Sequence, residues 1–140
     1  MPEHVVAAAF VANDEKPYGV RIEAGGHDLR ADEPADHGGG DSGPSPFGLL
    51  LSGLGACTAM TLRMYAEHKQ WPLDGVEVRL NYVVPDREQR WIDRAITLHG
   101  PLDEAQRAKL AEVAEKTPVT KVVRSGTEIR TTVGMPAADG

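Results

Sequence analysis

The sequence predicts an α+β fold in which antiparallel strands surround one long apolar helix. Apolar and polar residues alternate, as in strands, near the N-terminus, in the middle of the chain and near the C-terminus. A stretch without charged residues, from Ser42 to Leu62, follows the first alternating runs, and a capping-box pattern later in the chain marks another helix. The predicted order is β-β-β-α-β-β-α-α-β, and 140 residues fit a single domain, which we assign to residues 1–140.

Three short strands are predicted at the N-terminus. Apolar residues alternate from Val5 to Val11 and from Tyr18 to Ile22, and a third run covers Asp28 to Ala31. The turn sequences NDEKPYG and AGGH separate these runs, which indicates an antiparallel meander. Residues 32–45 are rich in Gly, Pro and Asp, and they predict a long loop of a kind that is often functional.

The central helix has clear start and stop signals. Ser45-Pro46 predicts its start, because serine caps a helix and proline is tolerated at the first helical position. It should run to about His68 or Lys69, where WPLDG ends it.

Apolar side chains surround the predicted axis of this helix on all sides, so the helix needs cover all round. Small residues four positions apart, such as Ser52 with Ala56 and Gly55 with Ala59, would let another helix approach closely. We therefore expect a homodimer in which a second copy supplies the missing cover. A monomer that wraps the helix more fully is the alternative.

The second half of the chain predicts a hairpin, two helices and a last strand. The hairpin strands are Val76 to Val84 and Trp91 to Leu98. The remaining predicted elements are a helix that starts at the capping box of Asp103 and Gln106, a short helix from Thr117-Pro118 to about Arg124, and a strand from Thr127 to Val133.

Composition excludes several classes of function. The net charge of −6, without a basic cluster, argues against nucleic acid as a partner. The uncharged stretch approaches a membrane span in length, but its two prolines and four glycines favour a buried helix of a soluble protein. The first residues lack the features of a signal peptide, and one cysteine cannot form an internal disulfide, so we expect a cytoplasmic protein without membrane attachment. The five histidines show no metal-binding spacing, and we expect no metal or other cofactor.

Cys57, the single cysteine, lies about three turns inside the central helix, beyond the reach of the helix dipole. An activated thiol would therefore need a cation from another part of either chain, and composition and spacing alone favour an inert, buried cysteine. The candidate cations are Arg21, Arg30, Lys121 and Arg124.

The segment PSPFGLLLSGLGACTAMTLRMYAEHKQWPLDGVEVRL resembles the core signature of the OsmC/Ohr family, the osmotically inducible and organic hydroperoxide resistance proteins. The resemblance extends upstream through HDLRADEPADHGGGDSGPSP and downstream through GPLDEAQRAKLAEVAEK, and it covers well over half of the chain. It implies an intertwined homodimer with active sites at the interface. It also implies reduction of organic hydroperoxides by a cysteine on the central helix, here Cys57, which becomes a sulfenic acid. In the family, a second cysteine in a Cys-Pro motif then closes a disulfide.

The sequence departs from this pattern at the positions that decide the chemistry. Thr117 stands at the resolving-cysteine position and cannot form a disulfide, so we expect it to pack there and to donate a hydrogen bond towards Cys57. Thr120 stands where the subgroup often has a histidine, and Pro46-Phe47-Gly48 offers no carboxylate at the helix start. The arginine of the early loop has no clear counterpart.

Three hypotheses follow from these departures. The first is an OsmC-like protein of the oxidative stress response whose peroxidase activity is weak or lost. Any remaining turnover of a hydrophobic peroxide would use Cys57 alone and an external thiol reductant. The alternative is a non-catalytic dimer that binds a small hydrophobic molecule in an interfacial pocket around Cys57. The third hypothesis is a purely structural dimer without a ligand.

Overall fold

The computed structural model describes residues 4–14 and 17–134, and over these residues the chain forms two antiparallel sheets and three α-helices. The elements are β1 (Ala9–Asn13), β2 (Val20–Ala24), β3 (His27–Ala31), a 3-10 turn (Ala35–His37), α1 (Pro46–Lys69), β4 (Gly75–Val83), β5 (Trp91–His99), α2 (Glu104–Ala114) and α3 (Pro118–Ser125). The predicted α+β class is therefore confirmed, and the predicted order holds as far as α3. The turn NDEKPYG includes Glu15 and Lys16, which lie outside the described residues.

The strands form two separate sheets. The N-terminal sheet has the order β1-β2-β3, with Val11 opposite Ile22 and Ile22 opposite Leu29. The second sheet is the predicted hairpin of β4 and β5, in which Val78 lies opposite Ile96. The first strand begins at Ala9 rather than at Val5, because only residues 9–13 pair with β2.

Local side-chain chemistry starts each helix where the sequence predicts. The Ser45 hydroxyl accepts a hydrogen bond from the Gly48 amide at 3.1 Å at the start of α1. Asp103 and Gln106 form a reciprocal capping box on α2. Thr117 caps α3 by accepting from the amide of Thr120. These caps satisfy backbone donors that have no partner within the helix.

The hydrophobic core lies between α1, the hairpin and α2. It is a cluster of buried residues: Leu62, Ala66, Leu73, Leu102, Leu110 and Ala114. Helix α1 packs against β4, α2 and α3. It has the length and apolar composition of a membrane span, and one side of it packs against these elements of the same chain.

A single chain covers the central helix on one side only, and the expected second copy would have to supply the rest of the cover. The buried residues of α1 form one stripe, Leu54, Gly55, Thr58, Leu62 and Ala66. Met60 and Met64 are more than half exposed. The reason is that β4, α2 and α3 cover only one side of the helix.

The predicted last strand is also absent from the structure. Residues 126–134 form no strand, and Thr127 to Val133 are all exposed. Alternation alone does not make a strand, because a strand needs a neighbour to accept and donate its backbone hydrogen bonds. In the part of the chain that the structure describes, neither sheet pairs with this segment.

Residues 32–45 form an ordered connection between the N-terminal sheet and α1. The buried side chain of Asp32 accepts hydrogen bonds from the Ser42 hydroxyl at 2.7 Å, the Ser42 amide at 3.1 Å and the Glu33 amide at 2.7 Å. These bonds hold the pKa of Asp32 below its ordinary value, the Ser42 hydroxyl having the largest effect. A Cβ atom at Gly39 would lie 2.0 Å from the Glu33 carbonyl oxygen, so the close turn of this loop requires glycine there.

Candidate functional site

A cavity of about 740 Å³ opens beside the N-terminal half of α1, between the hairpin and α3. Pockets of this size hold small organic molecules. Its lining residues are Phe47, Leu50, Leu54, Tyr82, Arg90, Trp91, Ile92, Arg94, Glu115, Thr120, Val123 and Arg124. The cavity therefore has an apolar side and a side with three arginines.

Arg94 of β5 forms the centre of the polar side, with only 11% of its side chain exposed. Its Nη1 donates to the hydroxyls of Thr58 at 3.0 Å and Thr120 at 2.8 Å. Its Nη2 donates to the Ala114 carbonyl at 3.2 Å and to the Glu115 carboxylate at 3.3 Å. One guanidinium thus ties α1, the end of α2 and the start of α3 together, and its charge is balanced by a carboxylate.

Glu115 is shared between two arginines at the edge of the cavity. Arg124 donates to its carboxylate at 2.5 Å and to its backbone carbonyl at 3.2 Å. The hydrogen bond from Arg124 holds the pKa of Glu115 below its usual range, and the charges of Arg124 and Arg94 act in the same direction. Glu115 is therefore ionised at neutral pH.

The apolar side of the cavity begins at the first turn of α1. The ring of Phe47 stacks on that of Tyr82 with a centroid distance of 4.7 Å and an interplanar angle of 14°. Leu50 and Leu54 continue this wall along α1. An aromatic contact thus occupies the helix start, where the family resemblance leads to the expectation of a carboxylate.

Cys57 lies one turn further along α1 and is half-buried. Its sulfur is 3.9 Å from the Thr61 hydroxyl oxygen. Within the described residues, no cation lies within hydrogen-bonding distance of the sulfur, and Cys57 does not line the cavity.

The four candidate cations lie in different places. Arg124 lines the cavity but is paired with Glu115. Lys121 is exposed on α3. Arg21 lies on β2, 3.6 Å from Glu23 and over the ring of Phe10. The fourth, Arg30 on β3, is paired with Asp14. The structure therefore brings only Arg124 of this set to the cavity.

Thr117 belongs to a different hydrogen-bond network from that of Cys57. It is fully buried, and its hydroxyl oxygen is 2.6 Å from that of Thr120. Through Thr120 and Arg94 this network reaches Thr58, whereas the expected hydrogen bond from Thr117 to Cys57 is not formed among the described residues.

Sequence reasoning missed Arg90 and Arg94 as site residues. Alternation along β5 could have identified Arg94. This residue falls on the same face of the strand as Ile92 and Ile96, and that face is otherwise apolar. A charged residue in such a row marks a buried partner or a polar cavity. Groups of three or more His, Cys, Asp or Glu side chains that could hold a metal ion do not occur in residues 4–14 and 17–134.

Solved structures with the same fold include several stress-related bacterial proteins. One from Psychrobacter arcticus, assigned to osmotic stress and detoxification, has a TM-score of 0.71 at 19% identity, covering 86% of this chain and 89% of that one. An organic hydroperoxide resistance protein OsmC from Legionella pneumophila has a TM-score of 0.64 at 17% identity, covering 88% and 92%. A structure from Vibrio cholerae, with captopril in one of the active sites, has a TM-score of 0.64 at 20% identity, covering 89% and 88%.

At these identities the likeness shows the fold alone. No curated protein matches the chain in sequence. Residues 38–132, more than half of the chain, match the family of OsmC-like proteins, from the loop before α1 to the segment after α3. The resemblance seen in the sequence is thereby confirmed, and the chain belongs to the OsmC-like protein family.

Proposed function

We propose that this protein binds a small, largely apolar organic molecule in the cavity beside α1. The observation that carries the proposal is the cavity itself, about 740 Å³ in volume, with Phe47, Leu50 and Leu54 along one side. Four of the five N–H donors of Arg94, on the polar side of the cavity, already have hydrogen-bond partners, so an apolar ligand would meet few free donors there. The Vibrio cholerae structure, with captopril in an active site, supports the idea that this fold accommodates small organic ligands.

The geometry supports binding better than peroxide turnover. A rapid thiol peroxidase needs an activated thiolate, and the Cys57 sulfur has a hydroxyl rather than a cation as its neighbour. It also needs a route back to the thiol, and the chain has no second cysteine. The residue at the expected position of that cysteine, Thr117, is held in the cap of α3.

Slow one-cysteine reduction of organic hydroperoxides is the second candidate function. It is favoured by the free, half-buried state of Cys57 and by its position one turn after Leu54 on α1. In this reaction the thiolate would attack the O–O bond, the sulfur would be oxidised to a sulfenic acid, and the alkoxide would leave as the alcohol after protonation. An external thiol would then condense with the sulfenic acid, releasing water and forming a mixed disulfide with Cys57, and a second thiol equivalent would release the Cys57 thiol and the disulfide of the reductant.

We also propose that the protein acts as a homodimer through the uncovered side of α1. Gly53, Ala56, Met60 and Met64 are exposed on this side, and they provide small and flexible apolar contacts. A contiguous apolar face of this kind is typical of a protein–protein interface. Cys57 borders the same side, so a second copy would enclose the thiol.

The binding proposal is tested by calorimetry with 1-octanol on two matched leucine variants. Leu50, 45% exposed, lines the cavity, whereas Leu29, 44% exposed, lies on β3. We expect Leu50→Gln to weaken octanol binding several-fold, because it places an amide on the apolar wall, and Leu29→Gln to leave it unchanged. Equal affinities in all three proteins would refute the cavity as the binding site.

The same protein preparations separate the two candidate functions. Cumene hydroperoxide is supplied with a dithiol reductant, and its consumption is measured for the wild type and for Cys57→Ser. Binding without Cys57-dependent consumption is the result expected from the geometry. Consumption that disappears in Cys57→Ser would favour the one-cysteine enzyme instead.

A further inference from the structure

The charge of the cavity is opposite to that of the whole chain. The protein has a net charge of −6, yet three arginines and one glutamate line the cavity. We infer that its ligand is an apolar molecule with an anionic head group of the carboxylate class. This inference rests on the proposed binding function and adds the chemistry of the head group to it.

The arginines available to such a head group are Arg90 and Arg124, both of which are exposed at the edge of the cavity. Arg124 uses one Nη1–H and one Nη2–H on Glu115, and a guanidinium carries five N–H donors in all. Among the described residues, Arg90 has no acidic group within ion-pair distance. A carboxylate at either arginine would therefore meet unused donors, and a planar guanidinium matches it with two parallel hydrogen bonds.

The apolar wall gives the ligand its direction. With the carboxylate on the arginine side of the cavity, the rest of the molecule would lie against the apolar wall of Phe47, Leu50 and Leu54. Arg94 does not bind the head group in this arrangement, because its four bonds to Thr58, Thr120, Ala114 and Glu115 are structural. Glu115 instead opposes the ligand, since it repels an incoming anion and occupies part of Arg124.

The test compares octanoate with 1-octanol, which have the same chain length and differ in the charge of the head group. Affinities are measured by calorimetry at pH 7.5 in low salt, for the wild type, Arg90→Gln, Arg124→Gln and Glu115→Gln. Arg79→Gln, on the exposed face of β4, removes the same charge away from the cavity and is the control.

We expect octanoate to bind about three- to tenfold more tightly than octanol, and each cavity arginine variant to lower octanoate affinity about two- to fivefold. Glu115→Gln should raise octanoate affinity, and octanol should be insensitive to all four substitutions. Added salt should lower the affinity for octanoate and leave that for octanol unchanged. Equal affinities of the wild type for octanoate and octanol would overturn the inference and leave the binding function intact. The same conclusion would follow if Arg79→Gln lowered the affinity for octanoate as much as the cavity variants do. Binding of neither molecule would overturn both.

Discussion

The two sheets of this protein are built alike but supported differently. The hairpin of β4 and β5 packs with α1 and α2 around a cluster of six buried apolar residues. The N-terminal sheet is fully hydrogen-bonded in register, yet its buried apolar residues are Ile22 and Ala31 among those that the structure describes. The difference lies in burial rather than in backbone pairing.

The difference in burial points to the surfaces that a second copy would cover. Val11, Ile22 and Leu29 form one row across the N-terminal sheet, and the two outer members of the row are largely exposed. A small sheet gains most of its stability from packing its apolar face against another element. The open side of α1 and the unpaired segment from Thr127 to Val133 lack cover in the same way. A second copy that covers all three would explain why one chain leaves them exposed.

A charge on the open side of α1 should change the oligomeric state of the protein. We expect Met60→Glu to convert the proposed dimer into a monomer, because a buried carboxylate without a partner is costly at an apolar interface. Sedimentation velocity measures the change. Val84→Glu is the control, since Val84 is exposed to a similar extent, 54% against 59%, beyond the end of β4. A dimeric Met60→Glu protein would place the interface elsewhere, and a monomeric wild type would remove it.

Two alanine substitutions compare the stability of the core with that of the N-terminal sheet. Leu62 is completely buried in the core, and Leu62→Ala should lower the free energy of unfolding by about 2–5 kcal/mol. Ile22 is buried in a sheet with little cover, and in the monomeric Met60→Glu background Ile22→Ala should cost only about 1 kcal/mol, because fewer neighbours are lost there. Urea denaturation of both variants in that background gives the two values. Equal losses would mean that the N-terminal sheet has a core of its own.

The same contrast separates what the sequence predicts well from what it does not. The starts of the helices were predictable because Ser45, Asp103 and Thr117 act on backbone groups within the next few residues. The hairpin was predictable for the same reason, since its alternation and turn are local. The strand from Thr127 to Val133 was not, because its existence depends on a distant neighbour.

The residues of the candidate site also differ in how far the sequence could identify them. Cys57 and Thr117 could be picked out from the resemblance to a family, whereas the segments that carry this resemblance did not single out Arg94. The role of Arg94 arises from three helices that meet at one side chain, through Thr58, Thr120 and Ala114. Such a meeting is a property of tertiary packing, which spacing along the chain does not encode.

A modest effect on stability is expected in the loop that joins the N-terminal sheet to α1. Asp32 holds this loop through Ser42 and Glu33, and its pKa is lowered in the folded protein, chiefly by the Ser42 hydroxyl. A lowered folded-state pKa stabilises the fold above the unfolded-state value of about 3.9, and the contribution is lost as the pH falls through the folded-state pKa. Asp32→Asn should therefore lower the melting temperature at pH 7 and flatten its fall below about pH 4. Asp28→Asn, at an exposed position of β3, is the control and should leave the fall of the melting temperature below about pH 4 unchanged. An equal flattening in both variants would show that Asp32 does not anchor the loop by its charge.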